Sequence, residues 1–326
     1  MGRRLARLPA DTPAVFTVSD AVARGIPRGR LYRDDLASPH RGVRALGVPE
    51  ATAEGLTERE RHWNTVREWH LRGMREYLPV IPVDGYFCGP SAAFIWGIPL
   101  PPRDWSDLHV GVPRPSRAPR RPGVVGHQHS AGYVRVVEVD GMLVTDAAST
   151  WATLGGLLTE DDLIVAADRV IRIPRMPGGF RRLDERPLAT REELSWFAER
   201  KGRPGAPRLR RALEQARTGA ASPPETRIRL LIRDAGLPEP VLDHDVYDEY
   251  GRFLGCSELA YPELRVAFEY ESDGHLSQEQ LRRDIDKYQA YAEAGWNPVR
   301  LTSEHVFRNP GEAVRRIRQA RRSAGA

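Results

Sequence analysis

Cysteine and lysine are nearly missing from this chain of 326 residues. Cys88 and Cys256 are its only cysteines and fall in different expected domains, so a disulfide framework or a cysteine-rich zinc site has nothing to form from. Lys201 and Lys287 are its only lysines. No apolar run approaches the ~18 residues of a transmembrane helix, and no apolar signal core follows Arg3, Arg4 and Arg7. These absences predict a cytoplasmic protein with no membrane partner. A Walker phosphate loop, a Gly-rich dinucleotide fingerprint and a Gly-x-Ser-x-Gly elbow are also absent, which sets aside the common nucleotide-dependent and serine-hydrolase classes.

What is present is arginine, with a formal net charge of +5. The planar guanidinium fork donates two parallel hydrogen bonds to a phosphate, so the basic excess agrees with a nucleic-acid partner. Arginine together with abundant Ala, Gly and Pro is equally what a GC-rich genome encodes.

The length calls for two or three domains. The fold class expected is α/β in the broad sense, a multi-domain α+β chain. Residues 1–50 read as a small helical unit ending in a hairpin. Ser19 is a candidate cap for a first helix, Gly25 breaks it, and Pro27 opens a second helix. Arg28, Arg30 and Arg33 fall on one side of that second helix, and residues 40–46, with Arg41 and Arg44, read as a wing strand. Residues 51–199 read as a central α+β region, with an amphipathic helix over 57–77 and strands near 108–112 and 134–139. The Trp63 to Trp69 spacing is that of a helix packed into a core. His127 and His129 share a face of a strand, a common start to a metal site, but no third ligand stands nearby. Residues 200–222 read as a linker with a short basic helix, and 223–326 as a last domain.

That last domain carries the chemistry. Pro223-Pro224 opens a helix from which Glu225 projects, with Ile228, Leu231 and Ile232 as its packed face. The run Glu258-Leu-Ala-Tyr-Pro-Glu-Leu-Arg-Val-Ala-Phe-Glu-Tyr-Glu271 reads as a hairpin, its turn at Tyr261-Pro262-Glu263. Residues two apart on a strand share a face, so Glu269 and Glu271 point the same way. Carboxylates gathered on a buried strand repel unless a cation lies between them, and Mg²⁺ is the usual answer. The competing reading is a strand end emerging into solvent, its acids paired with Arg282 and Arg283. On the following helix, Leu281, Ile285, Tyr288 and Ala292 form the expected core stripe, and Arg283, Asp286 and Lys287 the opposite side.

Residues 223–320 resemble the very-short-patch-repair-like branch of the restriction-endonuclease (PD-(D/E)XK) superfamily, most closely an actinobacterial domain-of-unknown-function family of endonuclease-like proteins. Ser222-Pro-Pro-Glu225, Leu237-Pro-Glu-Pro240, the hairpin, Gln280-Leu-Arg-Arg-Asp284, Gly295-Trp296 and Val299-Arg-Leu-Thr302 carry the likeness in that order. It implies a mixed sheet flanked by helices, a Mg²⁺ site (Mn²⁺ as substitute) and cleavage of DNA. Glu258 and Glu269 match the metal-binding acids, and Glu225 an outer or water-mediated contact. Glu271 falls where the superfamily often has its Lys. Asp273 and His275 match the acid and His that close the motif, and Arg282 and Asp284 the Arg-Asp pair of the next helix. Glu258 departs from the family's Asp. With the Lys absent, His275 or Arg282 would stabilise the pentavalent phosphorus. Residues 14–46 and the Cys88-Gly-Pro-Ser-Ala-Ala-Phe-Ile-Trp-Gly-Ile-Pro99 segment resemble an abortive-infection antitoxin family with a winged helix-turn-helix. This implies DNA contact through Arg28, Arg30, Arg33, Arg41 and Arg44; solvated arginines on a packing unit are the alternative. The leading expectation is a Mg²⁺-dependent DNA endonuclease. A catalytically inactive DNA-binding regulator and an antitoxin-like module that binds a protein partner stand beside it.

Overall fold

The computed structural model describes residues 7–47, 58–176, 178, 181–182, 186–271 and 278–325. It is an α+β chain of several sheets, divided into two compact units. The first takes its residues from 1–54, 62–95 and 103–146, the second from 55–61, 96–102 and 147–326. The main division between the two units falls after Asp146. Among the described residues no helix is long and apolar enough to cross a membrane.

The first unit begins with β1 (Val15–Thr17), α1 (Val18–Ala23), β2 (Leu36–Ala37) and β3 (Val43–Leu46), whose strands form an antiparallel sheet in the order β1-β3-β2. Phe16, Ala21, Ile26, Leu31 and Leu36 close a small core beneath it. The cap of α1 is Thr17, whose hydroxyl accepts from the Asp20 N–H at 3.0 Å, rather than Ser19. The second helix expected after Pro27 is only a five-residue 3-10 turn, Arg28–Tyr32. Gly29 disfavours a longer helix by about 1 kcal/mol, and short runs are the rule for 3-10 geometry.

Helix α2 (Glu58–Tyr77), β4 (Tyr86–Phe87), α3 (Gly89–Trp96) and strands β5 (Leu108–Pro113), β6 (Val124–His129), β7 (Val136–Val139) and β8 (Met142–Thr145) follow. The strands form one sheet in the order β6-β5-β4-β8-β7. Trp63 packs on Phe94 as its helical spacing suggested, with ring centroids 5.3 Å apart, but Trp69 is exposed.

The second unit opens with α4 (Ala147–Thr153), α5 (Glu160–Ile171), the short pair β9 (Arg175–Met176) and β10 (Arg181–Arg182), α6 (Arg191–Ala198) and α7 (Ala206–Gln215). Thr159 caps α5 and a Thr190–Glu193 capping box starts α6. The stretch 200–222 is not a free linker. Its helix α7 buries Leu209, Ala212 and Leu213, and Ala216 and Ala220 are buried beyond it.

The core of the expected last domain is α8 (Pro223–Asp234), β11 (Val241–Tyr247), β12 (Phe253–Tyr261), β13 (Val266–Glu271), α9 (Gln278–Glu293), β14 (Asn297–Thr302) and α10 (Pro310–Ser323). The mixed sheet runs β11-β12-β13-β14, antiparallel except for β14, which returns through α9 to lie parallel to β13. Period-two alternation gives the sheet two different faces. Leu259, Tyr261, Val266 and Phe268 pack with Ile228 and Ile232 of α8 and Ile317 of α10. Ala267 packs with Tyr291 of α9. Glu258 and Glu269 share the parity of Ala260 and Ala267, so they belong to the face that α9 covers.

The joint between α5 and α8 is polar, and buried at its centre. Asp168 of α5 is 1% exposed and accepts from Thr226 Oγ1 at 2.8 Å and Arg229 Nη2 at 2.9 Å, both on α8. Arg227 reaches Asp162, and Arg233 reaches Asp161 at 3.3 Å. The acids of α5 therefore face the arginines of α8 along the length of both helices.

Candidate active site

Strands β12 and β13 set the centre of the site. Their last paired residues are Leu259 and Phe268, and Glu258 and Glu269 are next along the ladder. There the pairing gives way to a side chain: Glu258 Oε2 accepts the Tyr270 N–H at 2.7 Å. The extra methylene of Glu over Asp is what spans to the neighbouring backbone. Burial first, then the Glu225 and Glu269 carboxylates, push the Glu258 carboxyl up to about 9.

Glu269 is 5% exposed, and burial raises its pKa against the opposing pull of Lys287. Its Oε2 accepts Lys287 Nζ at 2.9 Å, while Oε1 is buried with no hydrogen-bond partner among the described residues. Glu225, 4% exposed in the first turn of α8, accepts the Ala221 N–H at 2.7 Å. Burial raises it too, opposed by that N–H, the Ser222 hydroxyl and Arg172. The expected trio Glu225, Glu258 and Glu269 is thus one electrostatically linked cluster.

Lys287 belongs to this cluster. Its Nζ donates to Glu269 and, at 2.8 Å, to the Cys256 carbonyl oxygen. The outward side assigned to it from the sequence is corrected: the face of α9 turned to the sheet is Asp284, Lys287, Tyr288 and Tyr291, while Ile285 and Ala292 are exposed. Buried carboxylates need a cation more than the sheet needs Ile285. Gly255 lets α9 come close, since a Cβ there would sit 3.0 Å from Tyr291 Oη. One signal was available in the sequence: Lys287 is one of two lysines where nearly every other cation is arginine.

Glu271 shares the face but is already engaged, its Oε1 accepting Tyr288 Oη at 2.6 Å and Arg300 Nε at 2.9 Å. Arg282 is exposed, and the structure does not bring it to the carboxylates. Asp273 and His275 lie outside the described residues.

The donor set fits a hard divalent cation. Glu225 and Glu269 are buried and Glu258 is part-buried, and the unpartnered Glu269 oxygen is what an oxygen-seeking ion would take. Among the described residues no three His, Cys, Asp or Glu side chains converge as a ready-made metal cage. Mg²⁺ commonly keeps several waters and needs only one or two carboxylates.

The arginines proposed from the sequence for DNA contact divide into two groups. Arg28, Arg33 and Arg41 are exposed. Arg44 is 6% exposed, donates to the Val43 and Leu31 carbonyls, the former at 2.8 Å, and stacks on Tyr32, so it is a structural arginine. Arg30 is held by both oxygens of Asp35, at 2.9 and 2.6 Å. In the first unit's larger sheet, His127 Nε2 lies 2.9 Å from His109 Nδ1, and His129 Nδ1 lies 2.8 Å from Tyr86 Oη. Burial lowers the pKa of both His109, to about 3, and His127.

No protein-family model matches the chain. Two uncharacterized proteins of Mycobacterium tuberculosis, Rv2248 and MT2308, are each 29% identical to it over 198 residues, which is 60% of this chain and 68% of theirs. The crystal structure of the RV2827C protein from Mycobacterium tuberculosis aligns with a TM-score of 0.34 and 17% identity, covering 73% of this chain and 84% of that one.

Proposed function

We propose that the second unit is a Mg²⁺-dependent DNA phosphodiesterase, directed to DNA by the exposed arginines of the first. The observation that carries this reading is the pairing of the part-buried Glu258 with the buried Glu269 on adjacent strands, with Lys287 Nζ 2.9 Å from Glu269. Two acids and a lysine are what hydrolysis of a phosphodiester asks for: ligands for a cation and a positive group facing the phosphate. A bound Mg²⁺ supplies a Lewis acid and makes water nucleophilic near neutral pH. Glu258 and Glu269 are the residues that would hold that ion, and the Tyr270 N–H fixes one Glu258 oxygen. Lys287 presents its ammonium where negative charge grows on the attacked phosphate, a stabilisation strongest in a water-poor site. It takes the place for which His275 or Arg282 was expected.

A second reading draws on the same contacts. Lys287 on Glu269 and the Tyr270 N–H on Glu258 also make a closed polar network, which suits a DNA-binding regulator that keeps the fold without cleavage, or an antitoxin-like platform for a protein. Cleavage of supercoiled plasmid with Mg²⁺, Mn²⁺ or EDTA separates them. Wild type should cut with either metal and Glu269→Gln with neither. Equal cutting by both proteins would remove the site, and no cutting in any metal would leave the regulator.

A further inference from the structure

The first unit carries a strongly basic element that the site above does not use. Residues 108–137 contain no Asp or Glu but five arginines, four of them, Arg114, Arg117, Arg120 and Arg121, in the loop between β5 and β6. All four are exposed, and among the described residues none forms an ion pair.

The loop is pinned rather than free. Gln128 Nε2 donates to the Ser116 carbonyl at 2.6 Å, the Arg114 N–H to the His129 carbonyl at 2.8 Å, and the Ser116 hydroxyl to Asp84. Gly126 runs so close beneath it that a Cβ there would strike the Pro119 backbone. Pro113, Pro115, Pro119 and Pro122 fix φ at four of its positions. The His40 and Tyr77 rings meet edge-on at 5.0 Å, which holds the segment before Arg41 against the end of α2. His40 is followed by the exposed Arg41.

We propose that the loop 113–123 is a second binding element for the phosphate backbone of duplex DNA. It rests on the reading of the first unit as the DNA-directing part and names residues that the wing alone does not supply. The elements fit a polyanion with regularly spaced charge: guanidiniums with no acid of their own, on a backbone whose ordering entropy is already spent before binding. No apolar anchor stands among them, as a protein partner's hot spot would require.

The test is fluorescence anisotropy of the full chain on a labelled duplex in EDTA, across a salt series. Arg114→Gln/Arg117→Gln/Arg120→Gln should weaken binding and lower the log–log salt slope by about 0.9 for each lost phosphate contact. Its melting temperature should match wild type, because these side chains support no packing. If wild type binds and the triple variant keeps the same slope, the loop is not an interface although DNA remains the partner. If wild type does not bind duplex at all, the DNA-directed reading falls and this inference with it. A variant that loses affinity for polyglutamate as much as for duplex would overturn the choice of DNA as the partner. Neither slope depends on whether the Glu258–Glu269 site cleaves.

Discussion

Lys287, on helix α9, donates to Glu269, on strand β13, across 2.9 Å, so the ammonium partner of the buried acid comes from a different element than the acid. In sequence the two are 18 residues apart, and nothing in strand alternation links them. The structure places this lysine beside the carboxylate without it occupying the position two residues after it, where Glu271 stands.

The first prediction follows from that pair. Lys287→Gln should reduce Mg²⁺-supported cleavage by roughly two to three orders of magnitude, the scale of removing one preorganised stabilising donor. Lys287→Arg should recover part of it. If Lys287 only neutralises Glu269, the Gln variant should lose stability and bind metal no worse, with cleavage unchanged. Rates at saturating metal, taken beside melting temperatures, decide between the two.

Glu258 gives a pH dependence whose sign is fixed. In the folded chain its carboxyl holds a proton up to about pH 9, whereas its ordinary value is 4.5. Between these values the native state binds more protons than the unfolded, so stability falls as pH rises. The slope should be at most about 1.4 kcal/mol per pH unit, and Glu258→Gln should flatten it in a series of metal-free melts. Added Mg²⁺ should stabilise wild type more at high pH, because the ion must displace that proton. A wild-type curve parallel to the Gln variant would remove Glu258 from the buried cluster.

The Asp168–Arg229 pair predicts how the second unit comes apart. Both side chains are 2% exposed, and removing one partner of a buried pair costs about 3–5 kcal/mol. Asp168→Asn should lower the melting temperature accordingly. Brief trypsin treatment should not release a stable piece beginning near residue 222, because α7 and α8 are both packed into the same unit. A folded fragment with its own cooperative melt would contradict this.

The arginines of the first unit should separate by what they contact. Arg28→Ala with Arg33→Ala should reduce the salt slope of duplex binding by nearly 0.9 per lost contact, with stability unchanged. Arg44→Ala should instead destabilise by about 1–3 kcal/mol, since it strips the Leu31 carbonyl of a buried donor. The reverse pattern would move Arg44 to the interface.

Much of this protein is legible along the chain because it depends on local chemistry. The apolar, β-prone run over 266–270 specifies a strand, and its neighbours cover both of its faces. Pro223-Pro224 suits the first turn of a helix, where no N–H is needed, and the apolar spacing after it puts Glu225 in that turn. Glu258 and Glu269 stand out by their place on the hairpin strands, and Glu225 through the family resemblance of its helix. Tertiary structure alone decided what surrounds them. The face that α9 turns inward is chosen by buried charge rather than by apolarity, so Lys287 goes in and Ile285 stays out. The fate of each arginine is decided in the same way. Arg44, Arg229 and Arg28 carry the same group, and whether it ends on a carbonyl, a buried Asp or in solvent depends on residues brought close by the fold, such as Leu31 and Asp168. Periodicity records which side of an element faces the interior. It holds no record of which charge waits there, because that is set by chain segments distant in sequence.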